Sequence, residues 1–242
     1  MFYYYVGLLL KYNFGLIAAA VIPATFLMIR VYQLDRLEKE SPRFLWTLVK
    51  AGIFSSLIAL VLEKVFISLL SSYVPRSSVW FSILLYFVVV GISEEGAKHF
   101  MLRKTSWNSH EFNCLYDGIV YAVFVSLGFA LWENISYVLH YGFANAIVRA
   151  VTAIPGHASF GVFMGVFYSA AKMFEIQGDL NHSRMYNFIS LLIPLLIHGA
   201  YDYIATLQVE NGTIYFIVFI AILFFVSYRL IREFSLKDRY IV

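Results

Sequence analysis

The chain has 242 residues, of which 61% are hydrophobic, 19% aromatic and 14% charged, and its mean hydropathy is +0.74. Soluble domains carry about 25% charged residues, so this composition excludes an ordinary soluble protein and is typical of a polytopic helical membrane protein. The net charge of +3 is small and we expect no nucleic-acid partner, while the single cysteine excludes an intramolecular disulfide and any zinc site built from cysteines.

Seven apolar runs are long enough to cross ~30 Å of hydrocarbon as helices. They extend over 12–31 (with a start as early as Phe2), 44–74, 79–102, 116–141, 144–174, 185–207 and 214–231. Pro155-Gly156 interrupts the fifth run, where proline breaks the helical ladder and a new helix can begin. The sequence contains no soluble domain, internal repeat or linker. We therefore predict one all-α transmembrane bundle of about seven helices, a single integral-membrane domain over residues 1–242.

The placement of Lys and Arg predicts the orientation. Most of them fall in the loops and tail at 30–43, 103–104, 172–184 and 229–239, which lie on one side of a seven-helix bundle. The other side carries Lys11, Arg76 and Arg149. Because cytoplasmic loops are enriched in basic residues, we predict a cytoplasmic C-terminus and an N-terminus outside, in a multi-pass protein of the plasma membrane.

The third run contains the most unusual stretch, Ser93-Glu94-Glu95-Gly96-Ala97-Lys98. A charged group at the bilayer centre costs roughly 2.5–3.5 kcal/mol on insertion scales. On a helix Lys98 lies four residues after Glu94 and three after Glu95, so its ammonium can reach either carboxylate. An ion pair that only locks helix packing would need one carboxylate. Two of them indicate a functional site.

Three further runs contain polar groups that a passive bundle does not need. Glu133 lies in the fourth run without a basic partner on its own helix, so we expect it to be protonated, to pair across helices or to bind a cation. His157 follows the Pro-Gly break. His198 and Asp202 are four residues apart and share a helix face, so the carboxylate can orient the imidazole or join it as a metal ligand.

Other polar residues have simpler interpretations. Asp117 lies at the start of its helix, where a carboxylate favours the helix dipole and can cap. Arg149 is expected at the membrane interface. Glu63 and Lys64 are expected to neutralise each other or to lie at the interface. Cys114 is expected to be a small buried hydrophobic residue.

Carboxylates and histidines that converge in a bundle suit peptide hydrolysis. Either a carboxylate takes a proton from water, or a metal polarises the water. Zinc is the candidate metal, although no His-Glu-x-x-His pair is present, and the chain lacks both a Gly-x-Ser-x-Gly nucleophile and a phosphate-binding glycine loop. A proton- or cation-coupled carrier would use the same Glu, His and Asp cluster at the midplane, but many carriers show an internal repeat that is absent here.

Five blocks carry a family resemblance. They are SEEGAK at 93–98, DGIVYA at 117–122, GFALWEN at 128–134, His157-Ala158 and HGAYD at 198–202. In this order they resemble the PrsW family of intramembrane proteases, with a motif-bearing core over about 79–207. Related type II CAAX prenyl endopeptidases carry Phe-x-x-x-His. Here Phe129 is followed at the fourth place by Glu133, which favours the PrsW branch.

The resemblance implies roles for individual residues. The implied catalytic residues are Glu94, Glu95, Glu133, His157, His198 and Asp202. The implied supporting residues are Lys98, Asn134 and Asp117. If a metal is bound, the candidate ligands are Glu94, Glu95, Glu133, His157 and His198.

The resemblance also implies a substrate and a setting. The substrate would be a single-span membrane protein, such as an anti-sigma factor, that is cut near the extracytoplasmic side of a prokaryotic membrane to start a stress response. The mechanism would depend on a glutamate or on a metal, and the sequence leaves both open. A relative that binds a membrane partner without cutting it is a third hypothesis.

Helix geometry gives an independent expectation. Straight helices would hold Glu94 and Glu95 ~10 Å or more from Glu133 along the membrane normal. Tilt, a shifted boundary or a kink near Gly91 would close that gap. Without one of these, Glu133 would be a structural residue.

Overall fold

The computed structural model describes residues 2–241, with side chains from residue 15 onward. The helices are α1 (Phe2–Leu34), α2 (Pro42–Tyr73), α3 (Val79–Ile83), α4 (Gly91–Ser106), α5 (Asp117–Val151), α6 (Ala153–Ile176), α7 (Leu180–Ala205) and α8 (Gly212–Leu236). A π-helical segment, Leu84–Val90, joins α3 to α4, and residues 2–241 contain no strand. The predicted all-α bundle is confirmed. Lys11 was counted in predicting the orientation, and its side chain is not among those that the structure describes.

Six helical stretches are long and apolar enough to cross a membrane. The longest has 60 residues, 117–176, and would extend ~90 Å if straight, three times the hydrocarbon thickness. It folds back on itself, because Gly118 lies against Gly165 and the Ser126 hydroxyl donates to the His157 carbonyl at 2.6 Å. Counting α5 and α6 separately gives seven passes of the chain. The number of membrane crossings and the orientation of the termini stay predictions.

The chain reverses at Gly142, inside the stretch designated α5. Its φ of 79° and ψ of −169° suit only glycine. Residues 143–151, here called the returning segment, then run back along α5, so that Val138 packs near Ala146. A second break follows at Thr152, and Pro155 is the third residue of α6, where a missing N–H costs no helical hydrogen bond. The break therefore precedes the predicted position by three residues.

The first half of α5 forms the centre of the bundle. Residues 117–130 are all buried, enclosed by α1, α2 and α6. Gly128 lies directly against the backbone of Val49, and Gly52 against that of Val125, so a Cβ at either glycine would overlap the neighbouring helix. Gly128 and Gly52 therefore allow the backbones of α2 and α5 to pack in direct contact. This contact fixes the depth and rotation of α5, which presents Glu133 to the interior.

The C-terminal tail is tied to the loop that precedes α5. The Leu115 amide donates to the Arg239 carbonyl at 3.0 Å, and the Ile241 amide donates to the Asn113 carbonyl at 2.8 Å. Cys114 lies between them and is fully buried, as predicted, and burial raises the pKa of its thiol to about 12. The ends of α1 and α8 and the start of α5 therefore meet at one end of the bundle.

Candidate active site

Glu94, Glu95 and Lys98 of α4 form a buried charge cluster. The Lys98 ammonium lies 2.7 Å from Glu95 Oε1 and 3.2 Å from Glu94 Oε2, so it reaches both carboxylates. The side chains of Lys98 and Glu95 have no solvent exposure, whereas that of Glu94 is 11% exposed. The ring of Phe129 covers the ammonium, with its centroid 4.0 Å away. The lysine therefore neutralises the pair from within the protein, and Glu94 is left as the accessible carboxylate.

His198 of α7 contacts the same pair from the other side. Its Nδ1 lies 2.8 Å from Glu95 Oε1 and 3.9 Å from Glu94 Oε2. Its Nε2 lies 3.5 Å from Asp202 Oδ2, which is too long for a direct hydrogen bond. The ring of Phe160 stacks on the imidazole at a centroid distance of 4.6 Å. Glu95, rather than the predicted Asp202, is thus the hydrogen-bond partner that orients His198.

His157 of α6 links Glu133 to the charge cluster. Its Nδ1 lies 3.2 Å from Lys98 Nζ and its Nε2 lies 2.8 Å from Glu133 Oε2. An ammonium can only donate hydrogen bonds, so Nδ1 accepts, and Nε2 carries the proton that it donates to Glu133. The Ser126 hydroxyl anchors the His157 backbone at 2.6 Å. One imidazole therefore spans the gap that straight helices would leave.

The π-helical segment shifts the glutamate pair in the direction that narrows the gap expected for straight helices. It ends at Val90, immediately before α4, and Glu94 and Glu95 are the fourth and fifth residues of that helix. A π-helix rises less per residue than an α-helix, so the segment draws the glutamates toward the Val79 end of the span. Such segments are rare and are frequent at functional sites.

Arg149 of the returning segment also reaches Glu133. Its terminal nitrogen lies 3.0 Å from Glu133 Oε2, and its Nε donates to Asn134 Oδ1 at 2.7 Å. Asn134 in turn donates to the Ala20 carbonyl of α1 at 3.1 Å. The reversal at Gly142 carries Arg149 back beside Glu133, a pairing that was not predicted, while its position at the membrane interface stays a prediction. Glu133 was expected to be protonated, to pair across helices or to bind a cation, and the structure shows it paired with His157 and Arg149.

The cluster faces a cavity of about 330 Å³. Its acidic and histidine lining residues are Glu63, Glu94, Glu133, His157, His198 and Asp202. Glu95 and Lys98 lie behind this wall. Sequence reasoning missed Glu63, since its neighbour Lys64 offers a simple neutralising partner. The structure instead turns Lys64 outward and exposes it, while Glu63 lines the cavity. The available signal was a carboxylate deep within an apolar run.

Asp117, implied to be a supporting residue, lies outside this cluster. It precedes Glu133 by 16 residues on the same helix, a distance of ~24 Å. Its Oδ2 accepts hydrogen bonds from the Asn113 and Cys114 amides at 2.9 and 2.6 Å. It therefore stabilises the turn that precedes α5 and does not cap the helix or reach the cavity.

The donor set of the cluster fits a metal ion. Glu94, Glu95 and His157 each offer one ligand atom, and these atoms lie within 4.8 Å of one another. Oε2 of Glu95 is buried and has no hydrogen-bond partner within the part of the chain that the structure describes. The Lys98 ammonium lies among the same groups, so they already hold one positive charge. Imidazole nitrogen and carboxylate oxygen are zinc ligands, and His198 would complete the set.

Comparison with known proteins identifies the family. Residues 40–228 match the family described as PrsW family intramembrane metalloprotease, a range that contains every acidic and histidine residue of the cavity lining. The chain belongs to the PrsW family. It is a multi-pass membrane protease, which favours hydrolysis over the carrier alternative.

Several bacterial relatives are each named Protease PrsW. That of Clostridioides difficile strain 630 is 34% identical over 84% of this chain and 84% of its own length. That of Halalkalibacterium halodurans is 30% identical over 93% of this chain and 100% of its own length. That of Bacillus subtilis strain 168 is 31% identical over 89% of this chain and 94% of its own length. No solved structure matches the chain significantly.

Proposed function

We propose that this PrsW-family chain is an intramembrane endopeptidase that hydrolyses a peptide bond of a single-span membrane protein near its extracytoplasmic side. The observation that carries the proposal is the position of Glu94. It is the member of the glutamate pair that lines the cavity, and it lies beside His198 on the cavity wall. A substrate carbonyl in the cavity would therefore meet a carboxylate and an imidazole together.

Glu94 serves as the general base. Its carboxylate takes a proton from a water molecule as the water oxygen attacks the scissile carbonyl carbon. The protonated carboxyl then donates that proton to the departing amine, so the carboxylate is regenerated and the proton count balances. Lys98, 3.2 Å from Oε2, favours the ionised form that this step requires. Glu95 has no exposure and holds Lys98 and His198 in place.

His198 acts on the oxygen of the carbonyl. Its Nδ1 is held by Glu95 at 2.8 Å, which leaves Nε2 directed toward Asp202 at 3.5 Å. A substrate oxygen that approaches Nε2 from the cavity can accept a hydrogen bond from the imidazole as negative charge develops on it. Asp202 stabilises positive charge on the ring. The same geometry allows His198 to transfer a proton.

A zinc ion held by Glu94, Glu95, His157 and His198 would supply Lewis-acid polarisation of the carbonyl. In the metal-dependent form of the proposal, Lys98 balances the charge of the carboxylates and Glu133 orients His157 through its Nε2–H. Stoichiometric zinc and chelator-sensitive cleavage by the purified protein would support this form. Undiminished cleavage by the metal-free protein would support the glutamate-dependent form.

The proposed side of cleavage follows from where the cavity lies. Its lining includes Arg149, near the start of α6, together with Ala205 and Thr206 at the end of α7. The distribution of Lys and Arg predicts that these ends face outward. A single-span substrate such as an anti-sigma factor would then be cut near its extracytoplasmic side.

Two variants of the site and one control variant test the proposal in a cleavage assay with a single-span reporter in vesicles. Glu94→Gln and His198→Ala are expected to lower the cleavage rate at least ~10²-fold, the contribution typical of general acid–base groups. His99→Gln is the matched control, because His99 is also buried on α4 but is hydrogen-bonded to Ser190 at 2.9 Å and does not line the cavity. It is expected to stay within a few-fold of the wild type. Wild-type cleavage by folded Glu94→Gln would refute the proposal.

A further inference from the structure

A second group of buried carboxylates lies at the opposite end of the bundle. Asp35 and Glu40 belong to the loop after α1, and Asp117 begins α5. One oxygen from each lies within 4.8 Å of the others. Their exposed fractions are 2%, 5% and 1%. The ~24 Å from Asp117 to Glu133 along α5 separates this group from the candidate active site.

The hydrogen bonds of this acidic cluster are incomplete. Glu40 accepts from the Tyr121 hydroxyl at 2.8 Å, and Asp117 accepts from two backbone amides. Both oxygens of Asp35 are buried, and neither has a partner within residues 15–241. Oδ2 of the neighbouring Asp238, in the C-terminal tail, is likewise buried without a partner there. A buried carboxylate oxygen without a hydrogen-bond donor is costly, so these oxygens point to a ligand that they could bind.

The charge of the cluster is also unbalanced. The ammonium of the nearby Lys39 donates to the backbone carbonyls of Tyr32 and Asp35, and not to a carboxylate. Ionised carboxyl groups this close repel one another, so the three would ionise together only with a further cation among them.

We propose that Asp35, Glu40 and Asp117 bind a hard divalent cation, Mg²⁺ or Ca²⁺, which joins the end of α1 to the start of α5. All available donors are carboxylate oxygens, the ligands that these two ions prefer, whereas structural zinc sites use nitrogen and sulfur. Two oxygens that bind one ion can be at most about 5.2 Å apart around Ca²⁺ and about 4.2 Å apart around Mg²⁺, and the three oxygens of the cluster lie within 4.8 Å of one another. By the predicted orientation, this site faces the cytoplasm. The proposal is independent of proteolysis.

The test measures thermal unfolding and bound metal in purified, chelator-treated protein to which Mg²⁺ or Ca²⁺ is then added. We expect the wild-type Tm to rise by about 5 °C with one bound ion per chain. Asp35→Asn is expected to lose both effects. Glu38→Gln is the matched control, because Glu38 is an exposed carboxylate of the same loop. Glu38→Gln is expected to behave as the wild type. If the ions acted only by screening surface charge, Glu38→Gln and Asp35→Asn would respond equally.

A further variant distinguishes an ion bound at this acidic cluster from a metal bound at the active site. His198→Ala is expected to keep the rise in Tm and the bound Mg²⁺ or Ca²⁺. Equal responses of the wild type and Asp35→Asn to both ions, including no response, would overturn the proposal. If Asp35→Asn does not fold, Asp117→Asn replaces it, because an amide oxygen can still accept from the Asn113 and Cys114 amides.

Discussion

Lys98 is the residue on which the charge cluster depends most. Its ammonium is fully buried and contacts Glu94, Glu95 and His157 at 2.7–3.2 Å. Removal of one partner from a buried ion pair leaves an uncompensated charge and costs about 3–5 kcal/mol. Lys98→Met keeps most of the side-chain volume, so we expect it to lower the free energy of unfolding by that amount. Denaturant unfolding in detergent measures the loss.

A double variant distinguishes charge from packing. Glu95→Gln in the Lys98→Met background removes one of the two orphaned charges, and we expect it to recover part of the lost stability without restoring cleavage. If Lys98→Met alone is as stable as the wild type, the glutamates are not ionised together in the native state, and the assignment of Lys98 as their counter-charge fails.

Sequence reasoning named site residues on several helices, but it predicted only the contacts between residues that are close in the chain. Glu94 and Lys98 share one helix, so their contact follows from helical spacing alone. Contacts between helices depend on rotation and depth, which spacing does not encode. Helical spacing therefore did not predict that α2 turns Glu63 toward the cavity, that Glu95 orients His198, or that Asp35 meets Asp117.

At the scale of elements, the reversal at Gly142 places Arg149 beside Glu133. The φ of 79° with ψ of −169° lies in a region that is essentially closed to residues with a Cβ, at a cost of about 1–3 kcal/mol. We expect Gly142→Ala to lower stability by about that amount and to reduce cleavage, because the returning segment shifts. Unfolding and reporter cleavage measure the two effects.

Gly96 supplies the control for this prediction. It lies inside α4, between the glutamate pair and Lys98, and nothing lies within 4 Å of the position that a Cβ would occupy. Alanine favours a helix over glycine by about 0.8–1 kcal/mol, so Gly96→Ala is expected to be neutral or stabilising. Equal losses of stability in Gly96→Ala and Gly142→Ala would show that the backbone at Gly142 is not specially constrained.

The existence of each long helix was predicted because apolar runs are local signals, and the reversal fell between the predicted ends at Tyr141 and Ala144. Several ends were misplaced, since α7 begins at Leu180 and not at 185, and α8 ends at Leu236 and not at 231. The π-helical segment was not predicted. Leu84–Val90 is uniformly apolar, and its extra backbone atoms per turn are stabilised by packing between helices and not by a residue pattern.

At the scale of the whole molecule, α5 connects two buried polar centres of different composition. One end holds carboxylates with histidines and a lysine around a cavity, and the other holds carboxylates alone. If the chain crosses the membrane as predicted, the cavity lies toward the outside and the acidic cluster toward the cytoplasm. The proposed side of cleavage and the side of the membrane that the proposed cation site faces therefore depend on a single property, the orientation of the bundle.

Cysteine labelling tests this orientation. In a Cys114→Ala background, Glu210→Cys puts a thiol in the turn before α8, and Lys237→Cys puts one just beyond its end, both at exposed positions. Because the loops rich in Lys and Arg stay inside, we expect a membrane-impermeant maleimide to label Glu210→Cys on intact cells and Lys237→Cys only after permeabilisation. The unmodified chain is the control, since Cys114 is buried and should react in neither state. The reverse pattern would show that the cavity faces the cytoplasm and would contradict cleavage on the extracytoplasmic side. It would leave the chemistry assigned to Glu94 and His198 unaffected.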